Sequence, residues 1–94
     1  MTLKTKDIER SLLKKGFYKD YGDHIYFVFM YNGEKKNIRT KISHSHREIG
    51  DDLILQMSKQ LIMTKDFFKG FVECIKSESD YIQILKDKGV ITTD

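Results

Sequence analysis

An Asn-Gly pair between two β-prone runs is the feature that most restricts how this chain can fold. Ile25–Tyr31 is a run of β-branched and aromatic residues, and Asn32 and Gly33 follow it directly. Asn-Gly between such runs is the strongest short-range signal for a two-residue hairpin loop. Residues 35–42 then alternate polar and apolar side chains, as a half-buried strand does. We therefore predict an antiparallel hairpin.

The register of this hairpin assigns each side chain to one face of the sheet. A two-residue loop places Tyr31 opposite Glu34, and pairing then proceeds one residue at a time along both strands. The further opposed pairs predicted are Phe27 with Ile38, Tyr26 with Arg39, and His24 with Lys41. One face is predicted to be core: Ile25, Phe27, Phe29, Tyr31, Ile38, Thr40 and Ile42. The other is predicted to be an open basic platform: His24, Tyr26, Val28, Met30, Lys35, Asn37, Arg39 and Lys41.

Composition limits the class of protein. A chain of 94 residues with 39% hydrophobic residues predicts one small globular domain. The single cysteine, Cys74, excludes an intramolecular disulfide and fits a reducing compartment. The longest apolar run is too short to span a bilayer, and no signal peptide precedes the first lysines. We expect a cytoplasmic protein that makes no membrane contact.

Charge is unevenly distributed along the chain. Residues 1–63 hold twelve Lys and Arg against eight Asp and Glu, whereas residues 64–94 hold five against six. The basic excess therefore belongs to the part with the hairpin. It is a modest indication of nucleic-acid binding, and an ordinary lysine-rich surface explains it equally well.

Helical patterns surround the strands. Thr5 is predicted to cap a first helix that ends at Gly16, and residues 17–20 are predicted to form a first strand. After the hairpin, Ser45 and Glu48 suggest a capping box for a second helix over residues 48–62. Its predicted buried stripe is Ile49, Leu53, Met57 and Leu61. A third helix, capped by Thr64, is predicted to carry Phe67, Phe68, Phe71, Val72 and Ile75. A fourth begins at residues 77–80, carries Tyr81, Ile84 and Leu85, and ends at Gly89.

These motifs, in this order, resemble the HicA-type toxins. The opening Thr-Lys-Asp-Ile-Glu-Arg-x-Leu-Leu-Lys-Lys-Gly-Phe is similar to the first helix of that family, and Gly22-Asp23-His24 resembles its Gly-Ser-His motif. The resemblance covers residues 3–62. It implies an α+β fold like the double-stranded-RNA-binding domain: α-β-β-β-α with a three-stranded antiparallel sheet. Residues 1–63 would form this core, and residues 64–94 would add two helices packed on it within a single domain.

The same resemblance implies a function. HicA-type toxins are endoribonucleases of toxin–antitoxin modules that cleave mRNA with the motif histidine, and a cognate antitoxin protein covers their site. The matching catalytic residue here is His24, and His44 matches the histidine that follows the last strand. Asp23 replaces the usual serine and places a carboxylate beside the expected base. Asp51 and Asp52 stand where the family has its helix-start proline and glycine pattern.

The residue types suit such a reaction. RNA cleavage without a metal or cofactor needs a base for the 2′-hydroxyl and cationic groups for the phosphorane, and imidazole titrates near neutral pH. Arg39 and Lys41 are candidates for the cationic groups, Lys35 adds a further RNA contact, and Tyr26 can stack on an unpaired base. Binding to long duplex RNA is disfavoured because the second helix begins with acidic residues.

Plainer interpretations remain open. His24 is equally well explained as a surface residue without a role, and Tyr26 as packing across the strands. The chain would then be a non-catalytic RNA-binding module, or a protein-interaction module that docks a partner on the Val28 and Met30 strip. His44 and His46 with the nearby aspartates are a weak metal signal, and loop solvation is favoured. Cys74 is predicted to be a buried small apolar residue on a helix.

Overall fold

The computed structural model describes residues 2–43 and 47–91. This part of the chain is an α+β fold with a three-stranded antiparallel sheet, a second two-stranded pairing, and four helices. None of the described helices has the length and apolar character needed to cross a membrane. The elements, in chain order, are β1 Leu3–Lys4, α1 Thr5–Lys14, β2 Phe17–Tyr21, β3 Ile25–Tyr31, β4 Glu34–Ile42, β5 Glu48–Ile49, α2 Asp51–Gln60, α3 Lys65–Val72 and α4 Glu78–Asp87.

The predicted hairpin is confirmed and forms the centre and one edge of the main sheet. The strand order is β2-β3-β4, all antiparallel. Asn32 and Gly33 join β3 to β4 with φ angles of 53° and 78°, the left-handed conformation that this pair favours. The sequence analysis did not predict the short pairing of β1 with β5, in which Leu3 lies opposite Ile49.

The predicted register is correct beside the turn and wrong farther along the hairpin. Tyr31 lies opposite Glu34 as expected, but a bulge between Val28 and Met30 places two extra residues on β4. The observed pairs beyond it are Phe27 with Thr40, Tyr26 with Lys41, and Val28 with Arg39, and not those predicted. A shift of two residues preserves the alternation of side chains between the faces. Each β4 side chain therefore keeps its predicted face, and its neighbours change.

The face assigned to the core is buried. Phe27 and Phe29 are fully inaccessible, and Ile38, Thr40 and Ile42 are at most 5% exposed. On the opposite face the β4 cations are exposed and the β3 side chains are half-buried. Val28 and Met30 are therefore half-buried, whereas the predicted docking strip needed them to be exposed.

Tyr81 of α4 is the centre of an aromatic cluster on the core face. Its ring contacts those of Phe17 and Phe29 from the sheet and Phe71 from α3, with centroid distances between 5.1 and 5.9 Å. Its hydroxyl donates to the carbonyl of Leu61 at 2.7 Å, and burial raises the pKa of this phenol well above its usual range. Residues 64–91 thus contribute to the same core as the sheet.

Polar contacts from α1 hold the C-terminal end of α3. The Ser11 hydroxyl donates to the carbonyl of Val72 at 2.6 Å. The buried ammonium of Lys15 donates to the carbonyls of Phe71 and Lys76. These carbonyls lie at and after the end of α3, where helical partners become scarce, so Ser11 of α1 and Lys15 directly after α1 supply donors.

The predicted caps of α3 and α4 are confirmed. The hydroxyl of Thr64 accepts from the backbone N–H of Phe67 at 3.0 Å. Ser77 and Asp80 form a reciprocal capping box, and the backbone N–H of Ser77 lowers the pKa of the Asp80 carboxyl. Gly89 follows α4 with a φ of 72°, consistent with the predicted stop.

Other helix predictions are corrected. Thr5 is not the cap of α1, since the helix begins at this residue and its hydroxyl donates to the carbonyl of Arg47 at 2.6 Å. The second helix begins at Asp51, because Glu48 belongs to β5. Ser45, the other half of the predicted capping box, lies outside the described residues. On α2, Ile54 is fully buried, whereas Leu53 of the predicted stripe is 38% exposed.

The prediction for the segment after α3 is also wrong. Cys74 is exposed, and its φ of 64° places it beyond the helix end at Val72. Ile75 is 72% exposed and does not belong to the helix that was expected to bury it. The backbone N–H groups of Ile75 and Lys76 both bond to the carbonyl of Gly70, so the chain turns here instead of continuing the helix.

Replacing Tyr81 with phenylalanine tests how strongly the cluster depends on its hydroxyl. Y81F keeps the ring contacts but leaves the buried carbonyl of Leu61 without this donor. We expect the free energy of unfolding to fall by about 1–2 kcal/mol in urea denaturation. The control is Y18F, because Tyr18 is 48% exposed, and its stability should stay within about 0.5 kcal/mol of the wild type. Equal stabilities for both variants would contradict the assigned hydrogen bond.

Candidate functional site beside the hairpin

A three-residue loop between β2 and β3 carries His24. Tyr21 lies opposite Ile25, so residues 22–24 close the turn. The backbone N–H of Gly22 donates to the carbonyl of His24 at 3.0 Å, which fixes the position of this residue at the start of β3. Asp23, its predicted accessory neighbour, is exposed in the same loop.

His24 lines a cleft between the main sheet and α2. The cleft has a volume of about 160 Å³. Its apolar lining comes from β4, β5 and α2: Ile42, Ile49, Leu53 and Met57. Its polar lining comes from the loop, β4 and α2: His24, Lys41, Ser43, Gln56 and Gln60. An apolar interior with a few polar groups is the usual composition of a small-molecule or base-binding site.

The imidazole of His24 is only partly accessible. Nδ1 has no contact with solvent and no hydrogen-bond partner among the described residues. The ring stacks against that of Tyr26, with centroids 6.3 Å apart and an angle of 21° between the planes. A buried ring nitrogen without a partner is unfavourable for stability, and such groups need an explanation, of which function is one.

Lys41 lines the same cleft as His24, although the strand pairing that was predicted to bring them together is not present. The two residues are not an opposed pair, since Lys41 lies opposite Tyr26. Tyr26 therefore neighbours both residues: its ring stacks on the histidine, and its backbone pairs with the lysine strand. The structure thus brings together three of the predicted site residues.

The other predicted cations lie farther away. Arg39 is opposite Val28, which is two residues beyond Tyr26 along β3. Lys35 lies near the hairpin turn, opposite Met30, and its ammonium is 4.7 Å from the centroid of the Tyr18 ring. At about 3.3 Å per residue, the six positions from His24 to Met30 correspond to roughly 20 Å. These two residues belong to the open sheet face and not to the cleft.

The wall that α2 contributes to the cleft was not predicted from the sequence. Leu53, Gln56, Met57 and Gln60 have the i, i+3, i+4, i+7 spacing of one helix face, and all four line the cleft. The hydroxyl of Thr40 donates to Oε1 of Gln60 at 2.7 Å and ties this face to β4. The spacing was visible in the sequence, but the polar glutamines were not interpreted as part of a site.

The start of α2 has its own anchor. The ammonium of Lys65 on α3 lies 2.9 Å from the carboxylate of Asp51 and lowers the pKa of that carboxyl. The acidic first turn also complements the helix dipole. These acidic groups remain at the position that would have to be basic for contact with duplex phosphates.

The remaining candidate residues do not add to the cleft. His44 and His46 lie outside the described residues. Within residues 2–43 and 47–91, no group of three or more His, Cys, Asp or Glu side chains is placed to hold a metal ion. Cys74 lines a separate groove with Asp7, Arg10 and Glu73 on another part of the surface.

Comparison with models of known protein families, with curated proteins and with solved structures finds no match to this chain. The resemblance to the HicA-type toxins therefore rests on the short motifs and on their order. The cleft lined by His24, Lys41 and the α2 glutamines is evidence for a functional site that does not depend on this resemblance.

A double-mutant cycle measures whether Thr40 and Gln60 hold α2 against β4. T40V leaves the amide oxygen of Gln60 without its partner, and Q60M leaves the buried hydroxyl of Thr40 without its acceptor. We expect each variant to lose about 1 kcal/mol of unfolding free energy in urea denaturation. The double variant should lose less than the sum of the two, by about 0.5–1.5 kcal/mol. Strict additivity would show that the hydrogen bond does not stabilise the protein.

Proposed function

We propose that this protein is a HicA-type endoribonuclease that cleaves single-stranded RNA or mRNA with His24 as the base and without a metal ion. The observation that carries the proposal is the position of His24 and Lys41 on the lining of one cleft. A proton acceptor and a cation within the same small cleft are the two groups that cleavage by a neighbouring hydroxyl requires.

In the proposed reaction, the imidazole of His24 takes the proton of a ribose 2′-hydroxyl. The 2′-oxygen then attacks the adjacent phosphorus, the bond from phosphorus to the 5′-oxygen breaks, and the leaving oxygen is protonated by solvent. The products are a 2′,3′-cyclic phosphate and a 5′-hydroxyl. The ammonium of Lys41 stabilises the additional negative charge on the phosphorane oxygens.

The open sheet face supports binding of the rest of the strand. Tyr26 lies beside His24, where its ring can stack on a base adjacent to the scissile phosphate. Arg39 is exposed two pairs farther along the hairpin than Tyr26 and Lys41, and Lys35 is exposed near the turn. A strand that leaves the cleft along β4 towards the hairpin turn would meet Arg39 first and then Lys35. Their role would be ground-state binding of phosphates.

The fold is compatible with this proposal. We infer that α1, the three-stranded sheet and α2 correspond to the double-stranded-RNA-binding-domain-like core, with α3 and α4 as the extension. In such a toxin a cognate antitoxin protein would cover the cleft. Its acidic side chains would pair with the exposed cations of β4.

A non-catalytic RNA-binding module is the second candidate. The shift in register favours it, because Arg39 lies opposite Val28 and is not available beside His24. One cation, Lys41, is then left for the phosphorane among the predicted β4 residues. The same face would bind single-stranded RNA and leave it intact. Cleavage assays on the purified protein separate the two candidates.

Replacing His24 with alanine separates catalysis from binding. H24A should lower the cleavage rate by about a hundred- to ten-thousandfold, because it removes the general base. The affinity for RNA and the unfolding free energy should change little, the latter within about 0.5 kcal/mol, since the ring is only partly buried. Gel-based cleavage at a fixed protein-to-RNA ratio and fluorescence anisotropy measure the two properties.

The matched control for this variant is S79A, an exposed change on α4 away from the cleft and from β4. It should cleave at the wild-type rate. If H24A also cleaves RNA at the wild-type rate, His24 is not the base. If the wild type binds RNA but does not cleave it, the binding-module candidate replaces the enzyme.

The positions of Lys41 and Arg39 predict different kinetic effects. K41A removes a cation from the cleft and should lower kcat by about tenfold or more. R39A removes a cation from the open face and should raise KM with a smaller change in kcat, because uniform binding is lost. Single-turnover kinetics at saturating protein separates the two parameters.

Loss of a remote positive charge is the control for both variants. K14A removes an exposed lysine from α1, on the helical side of the molecule, and should change neither parameter by more than about twofold. A larger kcat effect for R39A than for K41A would contradict the roles assigned from the observed register.

A further inference from the structure

We propose that the cleft between the main sheet and α2 is a base-binding subsite that selects uracil, with Gln60 as the residue that distinguishes it from cytosine. This inference rests on the proposed RNA-cleaving function and deepens it, because it assigns the same cleft a sequence preference. Three features support it: the size of the cleft, the residues that line it, and the hydrogen bonding of Gln60.

The size of the cleft suits a single six-membered ring. Its volume is about 160 Å³. Apolar protein cavities of roughly 150 Å³ accommodate benzene, whereas sites for whole drug-sized ligands begin near 300 Å³. A pyrimidine ring therefore fits the cleft, and its ribose and phosphate would remain outside, near the rim.

The lining offers a flat ring both apolar contact and polar recognition. Ile42 and Met57 contribute apolar surface from opposite walls, β4 and α2. His24 and Lys41 lie on the same lining, so a base held here would bring its own phosphate close to the proposed base and cation. The cleft can thus bind the residue next to the scissile bond.

Gln60 can only donate to such a base. Its Oε1 accepts from the hydroxyl of Thr40 at 2.7 Å, and this is its one side-chain hydrogen bond within residues 2–43 and 47–91. Thr40 is 2% exposed, so turning the amide around would deprive a buried hydroxyl of its acceptor. This orientation keeps the buried hydroxyl paired with an acceptor and leaves the NH₂ group of the exposed Gln60 side chain available for a ligand.

An NH₂ donor at this position distinguishes the two pyrimidines. In the proposed subsite the C4 edge of the base faces this amide. Uracil carries a keto oxygen at C4, which accepts from the amide, whereas cytosine carries an amino group there, which would oppose donor to donor. Gln56 lies one helical turn earlier on the same lining and can pair with either base through its oxygen or its NH₂ group. The discrimination therefore depends on Gln60, through the constraint from Thr40.

The experiment measures binding without cleavage. Two short oligoadenylates differ only in a central uridine or cytidine, and both carry 2′-fluoro groups in place of every 2′-hydroxyl, so the proposed reaction cannot occur. The wild type should bind the uridine oligonucleotide about three- to tenfold more tightly, as expected for one net hydrogen bond. The side-chain NH₂ resonances of Gln60 should shift in NMR spectra when it is added.

Q60E is the decisive variant, because glutamate keeps the acceptor for Thr40 and replaces the donor with a second acceptor. A carboxylate accepts from the cytosine amino group, so the preference should be lost or reversed in favour of the cytidine oligonucleotide. Q83E is the matched control: it introduces the same charge on the exposed side of α4, and the uridine preference should remain.

The outcomes are distinguishable from failure of the proposed function. Equal affinities for the two oligonucleotides in the wild type, or a preference that Q60E leaves unchanged, would overturn the subsite even if RNA is cleaved. If the Gln60 resonances of the wild type do not shift, the subsite is also excluded, and this result does not depend on whether a variant folds. If the protein prefers uridine but does not cleave RNA, the subsite is supported and the proposed nuclease activity is wrong.

Discussion

The aromatic cluster around Tyr81 is the interaction on which the rest of the structure depends. Tyr81 is fully buried against Phe17 and Phe29 of the sheet and Phe71 of α3, and its hydroxyl bonds to the carbonyl that follows α2. Side chains of this size contribute several kcal/mol by burial, which is comparable to the stability of a small domain. The cluster therefore fixes the helices on one face of the sheet and leaves Lys35 and Arg39 of β4 on the other.

The candidate site follows from this arrangement. Because the helices are held on the core face, α2 meets β4 at the edge of the sheet, and Thr40 and Gln60 join them there. The cleft remains between this contact and the loop that carries His24. Its polar rim and apolar interior come from ordinary alternation along β4 and helical spacing along α2. The same physics that buries the core thus also forms a site suited to a planar, hydrogen-bonding ring.

The parts of the fold that the sequence predicted are those with local causes. The Asn-Gly turn, the Thr64 cap and the Ser77 capping box depend on residues within four positions of one another, and all are present. The core face was also predicted, because alternation alone determines it and the bulge shifts the register by an even number. The opposed pairs were wrong, since the position of a bulge depends on packing across the whole hairpin.

Long-range contacts account for the remaining differences. Cys74 and Ile75 were expected on a helix, but the chain turns after Val72, where Ser11 of α1 and Lys15 directly after α1 bond to backbone carbonyls. For the site, the sequence identified His24, Tyr26 and Lys41, which do lie together. It did not reveal Gln56 and Gln60, because no local pattern shows which helix face will lie against a distant strand.

The most direct test of the account is the chemistry of the ends that the protein leaves on RNA. The purified protein is incubated with a single-stranded RNA in excess EDTA, and the fragments are analysed by mass spectrometry. Cleavage should occur and should yield 2′,3′-cyclic phosphate and 5′-hydroxyl ends, because a histidine base activates the 2′-hydroxyl without a metal. Cleavage that stops in EDTA, or that yields 3′-hydroxyl and 5′-phosphate ends, would contradict the proposed mechanism.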